Sequence, residues 1–225
     1  MLVSHRKNFI FVKTQKTAGT SVESVFEKYC MKDGLWLQTH DRDQVISEYG
    51  MIGGRGQGAK YDKLYSHLTA EQIKELVSEE IWHSYFKFSV IRNPFDRLIS
   101  RYFFSKKKEN PKYFEDMDEQ GVIKEFRSFI KQRKYPIADH LKINGQLALD
   151  FLIRYETLNS DIEHVANHLG VEFKSTDLPT FKSEYRISSF TPDMLYDELS
   201  IAYVNDTYAE EIETFGYSFE GLMAQ

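Results

Sequence analysis

The sequence predicts an α/β fold in which a mainly parallel central sheet carries helices on both faces. Three observations predict it. Short continuous apolar runs at residues 8–13, 86–91 and 151–155 have strand length and little alternation, as strands covered on both faces do. Each run is followed by apolar residues at helical spacing, which is the order expected of strand–helix–strand units. A chain of 225 residues with 41% hydrophobic and 15% aromatic side chains can also fill one sizeable core, so a single domain over 1–225 is expected.

The elements follow in order. After the first strand, Val22, Val25, Phe26 and Tyr29 mark a helix preceded by a small-residue loop. Gly53, Gly54, Gly56 and Gly58 predict a flexible loop, either an acceptor lid or ordinary surface. Thr69-Ala70-Glu71-Gln72 has the capping-box pattern, and Ile73, Leu76, Val77 and Ile81 give one helix its buried stripe. Beyond the strand at 86–91, Asn93 can cap a helix with Pro94 at its first position and Leu98, Tyr102 and Ile99 or Phe103 inside. The polar stretch Ser105–Gln120 reads as an exposed connection, and Val122, Phe126, Phe129 and Ile130 as a helix. Leu158, Ile162, Val165 and Leu169 form another helix closed by Gly170, and Pro192–Phe215 reads as helical with an acidic outer face.

Composition excludes several classes. The net charge is −5, which opposes generic nucleic-acid coating, because that affinity rests on phosphate neutralisation. The charge is uneven, however. Residues 156–225 hold 3 basic and 14 acidic side chains, which leaves the larger part of the chain basic and able to attract an anionic small molecule. No run has the length of a membrane span, and the apolar stretch near the start is too short for a signal-peptide core. One cysteine, Cys30, excludes an internal disulfide and fits a reducing compartment, with the cytoplasm as the expectation.

Two segments carry chemistry. Thr14-Gln15-Lys16-Thr17-Ala18-Gly19-Thr20-Ser21 lies between a strand and a helix, where backbone N–H groups and the helix dipole favour an anion. Lys16 adds a mobile charge, and Thr17, Thr20 and Ser21 add hydroxyls. A tight turn with a solvated lysine has the same composition. The Walker A pattern G-x-x-x-x-G-K-S/T fits poorly, since Gln15 stands where its second glycine belongs and Ile10 where its first does. The strand at 86–91 ends in Arg92, not in the aspartate that a magnesium-dependent nucleotide enzyme needs. A guanidinium there suits a second anionic group, with Ser100 two turns into the next helix as a hydroxyl partner. The competing reading pairs Arg92 with a structural carboxylate such as Asp96.

These residues carry a resemblance. The stretch from Phe11 to Ser21 resembles the 5′-phosphosulfate loop of sulfotransferases, in particular the carbohydrate enzymes related to the heparan sulfate 2-O type. The stretch from Phe88 to Tyr102 resembles that family's 3′-phosphate motif. Arg154-Tyr155-Glu156-Thr157-Leu158 and Phe215-Gly216-Tyr217-Ser218-Phe219 echo later motifs in the same order. The resemblance implies a P-loop-like three-layer fold and 3′-phosphoadenosine 5′-phosphosulfate (PAPS) as donor, with no metal. It implies that Lys16, Thr17, Ala18, Gly19, Thr20 and Ser21 cradle the 5′-phosphosulfate and that Arg92 and Ser100 grip the 3′-phosphate. Arg186, with Lys182 and Ser183, follows a Leu-Pro turn where relatives place a loop near the nucleotide. One departure stands out: relatives usually carry His-x-Pro before the loop lysine, and this chain has Lys13 and Gln15. Loss of the proline is expected to loosen the start of the loop.

Sulfuryl transfer needs a base for the acceptor hydroxyl, which the family implies is borne by a saccharide, and a cation for the leaving phosphate. Lys16 fits the second role. His67, in Tyr65-Ser66-His67-Leu68-Thr69, matches the place of the family's catalytic histidine; a loop histidine bonded to a carbonyl is the alternative. His40 and His140 are secondary candidates. His164 and His168 have zinc-compatible spacing but lack a third ligand, and His5 and His83 carry no signal. Lys106, Lys107, Lys108, Lys124, Arg127, Lys131 and Lys134 either line a groove for an anionic glycan or form a solvated helix face. Two other classes remain open at this point: a P-loop nucleotide kinase, and a non-catalytic module that binds a nucleotide or sulfated glycan.

Overall fold

The chain begins with a strand too short to stand out in the sequence, β1 (Leu2–Ser4), which turns back within four residues into β2 (Phe9–Val12). So short a link cannot hold a helical crossover, and the pair is antiparallel. The computed structural model describes residues 1–56, 59, 63–179, 181 and 185–224. It divides into two compact units, Met1–Ile91 with Ile137–Phe181, and Arg92–Pro136 with Lys182–Gln225.

In the first unit β2 leads into α1 (Gly19–Phe26) and a 3-10 turn over Glu27–Cys30. The hairpin β3 (Val45–Ser47) and β4 (Gly50–Ile52) follows, then α2 (Ala70–Leu76), α3 (Glu79–Ser84) and β5 (Phe86–Ile91). The helix expected as one piece over 70–81 is thus two. Thr69 caps the first with the full capping box, Val77 is extended, and Ser78 caps the second by accepting from the Ile81 amide. After α4 (Pro94–Glu109) and α5 (Glu119–Gln132), which belong to the second unit, the chain returns. It then forms the small hairpin β6 (Lys142–Ile143) and β7 (Gln146–Leu147), followed by β8 (Phe151–Arg154) and α6 (Leu158–Leu169). Gly170 closes α6 in the left-handed region at φ 60°.

The sheet runs β3-β4-β1-β2-β5-β8. The three predicted strands are its parallel half, β2 beside β5 beside β8, while β1, β3 and β4 add three antiparallel pairings. The sheet is therefore mixed, not mainly parallel, because three-residue strands leave no apolar run to read. One face buries Phe9, Phe11, Phe88, Val90 and Ile153 against Val22, Val25 and Phe26 of α1 and Ile162 and Val165 of α6. The other face presents Ile10 and, across from it, Lys87, whose Nζ lies 5.8 Å from the Trp82 ring of α3. Helices α1 and α6 thus cover one face of this sheet.

The glycine segment after β4 is not a mobile lid at its first positions. Gly54 bridges to Tyr65 and Arg55 to Arg42, and Gly53 and Gly54 are buried. A Cβ on Gly53 would lie 2.8 Å from the Cα of Ser66, so glycine here permits two backbones to touch. Gly56 is exposed with φ +117°, and Gly58 lies outside the described residues.

The second unit is helical. Asn93 accepts from the Phe95 amide and Pro94 opens α4, as the sequence predicts. The helix runs on through Lys106–Lys108 to Glu109, so the first five residues of the expected connection are helix. The acidic tail breaks into α7 (Pro192–Leu195), α8 (Glu198–Thr207) and α9 (Ala209–Phe215), and α10 (Phe219–Met223) follows. Phe95, Leu98, Ile99, Tyr102 and Phe103 of α4 meet Val122, Phe126 and Ile130 of α5 and Leu195, Val204 and Tyr208 of the tail in one aromatic-rich core. None of the described helices is long and apolar enough to cross a membrane.

Candidate functional site

The first group is built by the turn from β2 into α1. Lys16 (φ 62°) and Ala18 (φ 64°) are both left-handed, a conformation that costs energy for any residue with a Cβ. Ala18 stands at the N-cap of α1, and no side chain caps that end. The amides of Ser21 and Val22 both donate to the Ala18 carbonyl, at 2.9 and 3.2 Å. No side chain therefore sits on the positive end of this helix dipole, the setting of an anion-binding helix end. Gly19 is needed for close packing: a Cβ there would lie 2.9 Å from the Lys13 Cγ and 3.2 Å from the Thr14 carbonyl oxygen.

The start of this loop is fixed, contrary to the expectation from the missing proline. The Thr14 hydroxyl donates to the Val90 carbonyl at 2.5 Å and shares a 2.8 Å hydrogen bond with the Thr17 hydroxyl. Thr17 is fully buried, and its hydroxyl serves to hold the loop. Lys13 is buried as well, its ammonium 2.7 Å from Glu23 Oε2. Glu23 also accepts from Arg55 Nη1 (2.9 Å) and from the Met1 amino group (3.1 Å), while Glu27 takes Arg55 (2.6 Å) and Arg42 (3.1 Å). Burial disfavours the Glu23 carboxylate, but the Lys13 ammonium and its fellow cations outweigh that and hold the group at about 2. Burial in turn pulls Lys13 below the ordinary lysine value, Glu23 opposing. Sequence reading missed Glu23, Arg55 and Thr14. The available signal was a lone glutamate inside the otherwise small and apolar helix Gly19–Phe26.

His67 lies against the same loop. Its Nδ1 is 3.1 Å from the Lys13 carbonyl, so Nδ1 carries the proton and Nε2 the lone pair. The alternative in the sequence reading, a loop histidine bonded to a carbonyl, is thus present, and the bond leaves the lone pair on Nε2. Burial, then the Lys13 ammonium, lowers its pKa from 6.5 to about 3, so the imidazole is neutral at physiological pH. His140 sits behind it, Nε2 2.7 Å from the His67 carbonyl. Burial lowers its pKa too. The Tyr65 ring flanks His67 at 5.3 Å between centroids.

The second group stands at the start of α4. Arg92 directly follows β5 and is nearly buried; its Nη2 and Nε lie 2.6 and 2.7 Å from Asp96 Oδ2. Arg186 pairs with the other oxygen of the same carboxylate. Burial raises the Asp96 pKa, but Arg92 and then Arg186 prevail and hold it below the usual carboxylate value. The structural pairing weighed against an anion-binding role for Arg92 is thus present, and it also delivers a second guanidinium. Ser100 lies one turn past Asp96 on the same helix face and is half-buried. Lys182 and Ser183 lie outside the described residues.

Comparison with known families bears on both groups. The model of the sulfotransferase family matches residues 1–218, a span that includes the Lys16 loop, His67, the Arg92 group and Arg186. The chain belongs to the sulfotransferase family. No curated protein and no solved structure gives a significant match. The family's chemistry is sulfuryl transfer to a hydroxyl, so this chain is a transferase of that general kind.

The remaining candidates have other roles within this sulfotransferase. His164 stacks on Phe151 at 4.7 Å and His168 lies tilted against Phe86 at 4.1 Å, so the i, i+4 pair packs α6 against strand aromatics. Among the described residues no group of three or more His, Cys, Asp or Glu is placed to hold a metal ion. His40 pairs with Asp41 in an exposed segment, and His5 with the Tyr85 hydroxyl. Within the lysine face, Lys106 bonds Glu125 (2.6 Å) and Arg127 bonds Asp197 (3.0 Å), so those two serve helix packing; Lys124, Lys131 and Lys134 are exposed.

Proposed function

We propose that this chain moves the sulfuryl group of PAPS to a hydroxyl, carried by a saccharide, with residues 1–225 as one functional domain of the P-loop-like kind. The acceptor oxygen forms its bond to sulfur as the bond from sulfur to the bridging oxygen of the 5′-phosphate breaks, releasing 3′-phosphoadenosine 5′-phosphate (PAP). The observation that carries the reading is the β2–α1 turn, where left-handed Lys16 and Ala18 precede a helix end that no side chain caps. Residues Lys16 to Ser21 would hold the 5′-phosphosulfate through backbone amides, with the hydroxyls of Thr20 and Ser21. The Lys16 ammonium meets the charge that grows on the leaving phosphate.

His67 acts as base. Donation from Nδ1 to the Lys13 carbonyl fixes the tautomer, and Nε2 takes the acceptor proton. Arg92, Ser100 and Arg186 would bind the 3′-phosphate, and no metal is required because cations of the chain supply the charge. The saccharide acceptor rests on the likeness of the two motifs to the heparan sulfate 2-O type, and a cytoplasmic site on the single, buried Cys30. The test is calorimetric titration with PAP beside ADP and ATP, with and without Mg²⁺. Metal-independent binding that requires the 3′-phosphate supports the reading. Preference for Mg-ATP overturns it in favour of a nucleotide kinase.

A further inference from the structure

We propose that His140 is a positioning residue for His67, donating from Nε2 to its main-chain carbonyl so that the imidazole keeps one tautomer and one direction. The inference rests on the reading of His67 as base and adds the side chain that holds it in place.

Three observations carry it, all within the first unit. First, the bond is aimed at the base itself. The His140 Nε2 lies 2.7 Å from the His67 carbonyl oxygen, across 73 residues of sequence. A carbonyl only accepts, so Nε2 carries the proton, and burial keeps the His140 ring neutral by lowering its pKa. Second, this carbonyl is the link that the surrounding main chain leaves open. The Ser66 amide donates to Gly54 at 3.0 Å, the Leu68 amide to Tyr65 at 3.3 Å, and Thr69 caps α2. Among the described residues His140 alone donates to the His67 carbonyl. A ring tied only by Nδ1 to the Lys13 carbonyl can pivot about that bond; fixing the peptide plane from which it hangs removes the freedom. Third, His140 comes from a firm support. It lies in the 3-10 turn Asp139–Leu141, whose His140 and Leu141 amides close on the Ile137 and Ala138 carbonyls at 3.1 and 3.0 Å. Ile137, Ala138 and Leu141 are buried, and the turn packs against α2, the helix that starts just past His67. His164 and His168 fill space by laying their rings on phenylalanines, whereas His140 directs an N–H at one main-chain oxygen.

The experiment compares the full chain as wild type, His140→Leu, His140→Asn and His140→Gln. Heteronuclear NMR of the imidazole nitrogens, with His67 assigned through His67→Gln, reads the tautomer. Release of PAP from PAPS reads the rate, and calorimetry with PAP reads donor affinity. His140→Leu is expected to mix the His67 tautomers and to slow PAP release by about tenfold to a hundredfold, while PAP affinity changes by less than about twofold. The glutamine amide reaches the place of Nε2, so His140→Gln restores both readings; the asparagine amide stops one bond short, so His140→Asn does not. If the tautomer or the rate stays at its wild-type value in His140→Leu, the bond merely satisfies a carbonyl and the assignment is overturned. Parallel loss of rate and PAP affinity would place the effect in the donor loop or the fold and overturn it as well. So would a His140→Gln no better than His140→Leu. Should His140→Leu fail to fold, His140→Asn against His140→Gln decides by the same readings. A His67→Gln variant that releases PAP at the wild-type rate sinks the base reading, and this assignment with it. A slow His67→Gln beside an unaffected His140→Leu sinks this assignment alone.

Discussion

The neutral imidazole of His67 makes stability depend on pH in a way that can be worked out from its surroundings. In the unfolded chain the ring titrates near 6.5; in the fold, burial and then Lys13 lower it to about 3. Between these values the unfolded chain binds a proton that the folded chain does not, so stability falls as pH drops below about 6.5 and the loss continues towards pH 3. At pH 5 the ring has crossed about 1.5 units of that window, which corresponds to ~2 kcal/mol relative to pH 7.5. His67→Gln stays neutral throughout and keeps an amide N–H for the Lys13 carbonyl, so it removes this component alone. Urea unfolding of both proteins at pH 7.5 and pH 5 measures it. The wild type is expected to lose ~2 kcal/mol more than the variant between the two conditions. Parallel losses, equal to within about 0.5 kcal/mol, would mean that His67 takes up its proton in the fold as readily as in water, and the argument for a fixed neutral base would collapse.

Four further outcomes follow from the same contacts. Lys16→Ala leaves the unfolding midpoint unchanged and lowers the rate of PAP release from PAPS by about a hundredfold, as loss of a charge-stabilising group does; a normal rate would remove Lys16 from the chemistry. Glu23→Gln leaves Lys13 and Arg55 short of a carboxylate in the interior and costs about 3–5 kcal/mol in urea unfolding. Gly53→Ala drives a methyl to 2.8 Å from the Ser66 backbone, one residue before His67. It is expected to cost about 1–3 kcal/mol and to depress turnover, read by thermal unfolding beside a sulfotransfer assay. Thr14→Val deletes the hydroxyl that holds Val90 and Thr17 at a cost of about 1–2 kcal/mol, whereas Thr14→Ser restores most of it; equal behaviour of the two would show that the hydroxyl is idle.

What could be read from the sequence was whatever leaves a pattern over several residues. The strands at Phe9–Val12, Phe86–Ile91 and Phe151–Arg154 are continuous apolar runs and were legible, as were the caps at Thr69, Asn93 and Gly170. The strands at Leu2–Ser4, Val45–Ser47 and Gly50–Ile52 were not, because three residues carry no period, and so the antiparallel half of the sheet went unseen. Gly53 and Gly54 looked like loop residues since composition cannot separate a glycine needed for freedom from one needed for closeness. The candidate residues Lys16, His67, Arg92 and Ser100 were legible through motifs. Their supports were not, because Glu23 and Arg55 pair across 10 and 32 residues of sequence, and Arg186, though named as a candidate, pairs with Asp96 across 90, where no local pattern marks the pairing.

Lys13 and Gln15 show how a departure from a family pattern is absorbed. A proline before the loop lysine fixes one backbone angle through its ring. Without it, the same stretch could sample more conformations, and the left-handed Lys16 and Ala18 would be harder to hold. Here the flanking side chains do the holding: Thr14 binds across to Val90 and forward to Thr17, and Lys13 anchors to Glu23 one turn inside the helix that the loop begins. Because Lys13 also offers its carbonyl to His67, the anchor that fixes the loop also holds the proposed base. Lys13 is therefore a buried structural cation whose ammonium adds to the burial that keeps the neighbouring imidazole neutral and whose backbone sets its tautomer. A change at Lys13 therefore acts together on the loop proposed to hold the phosphosulfate and on His67, the proposed base, which couples two proposed functions that separate residues would have left independent.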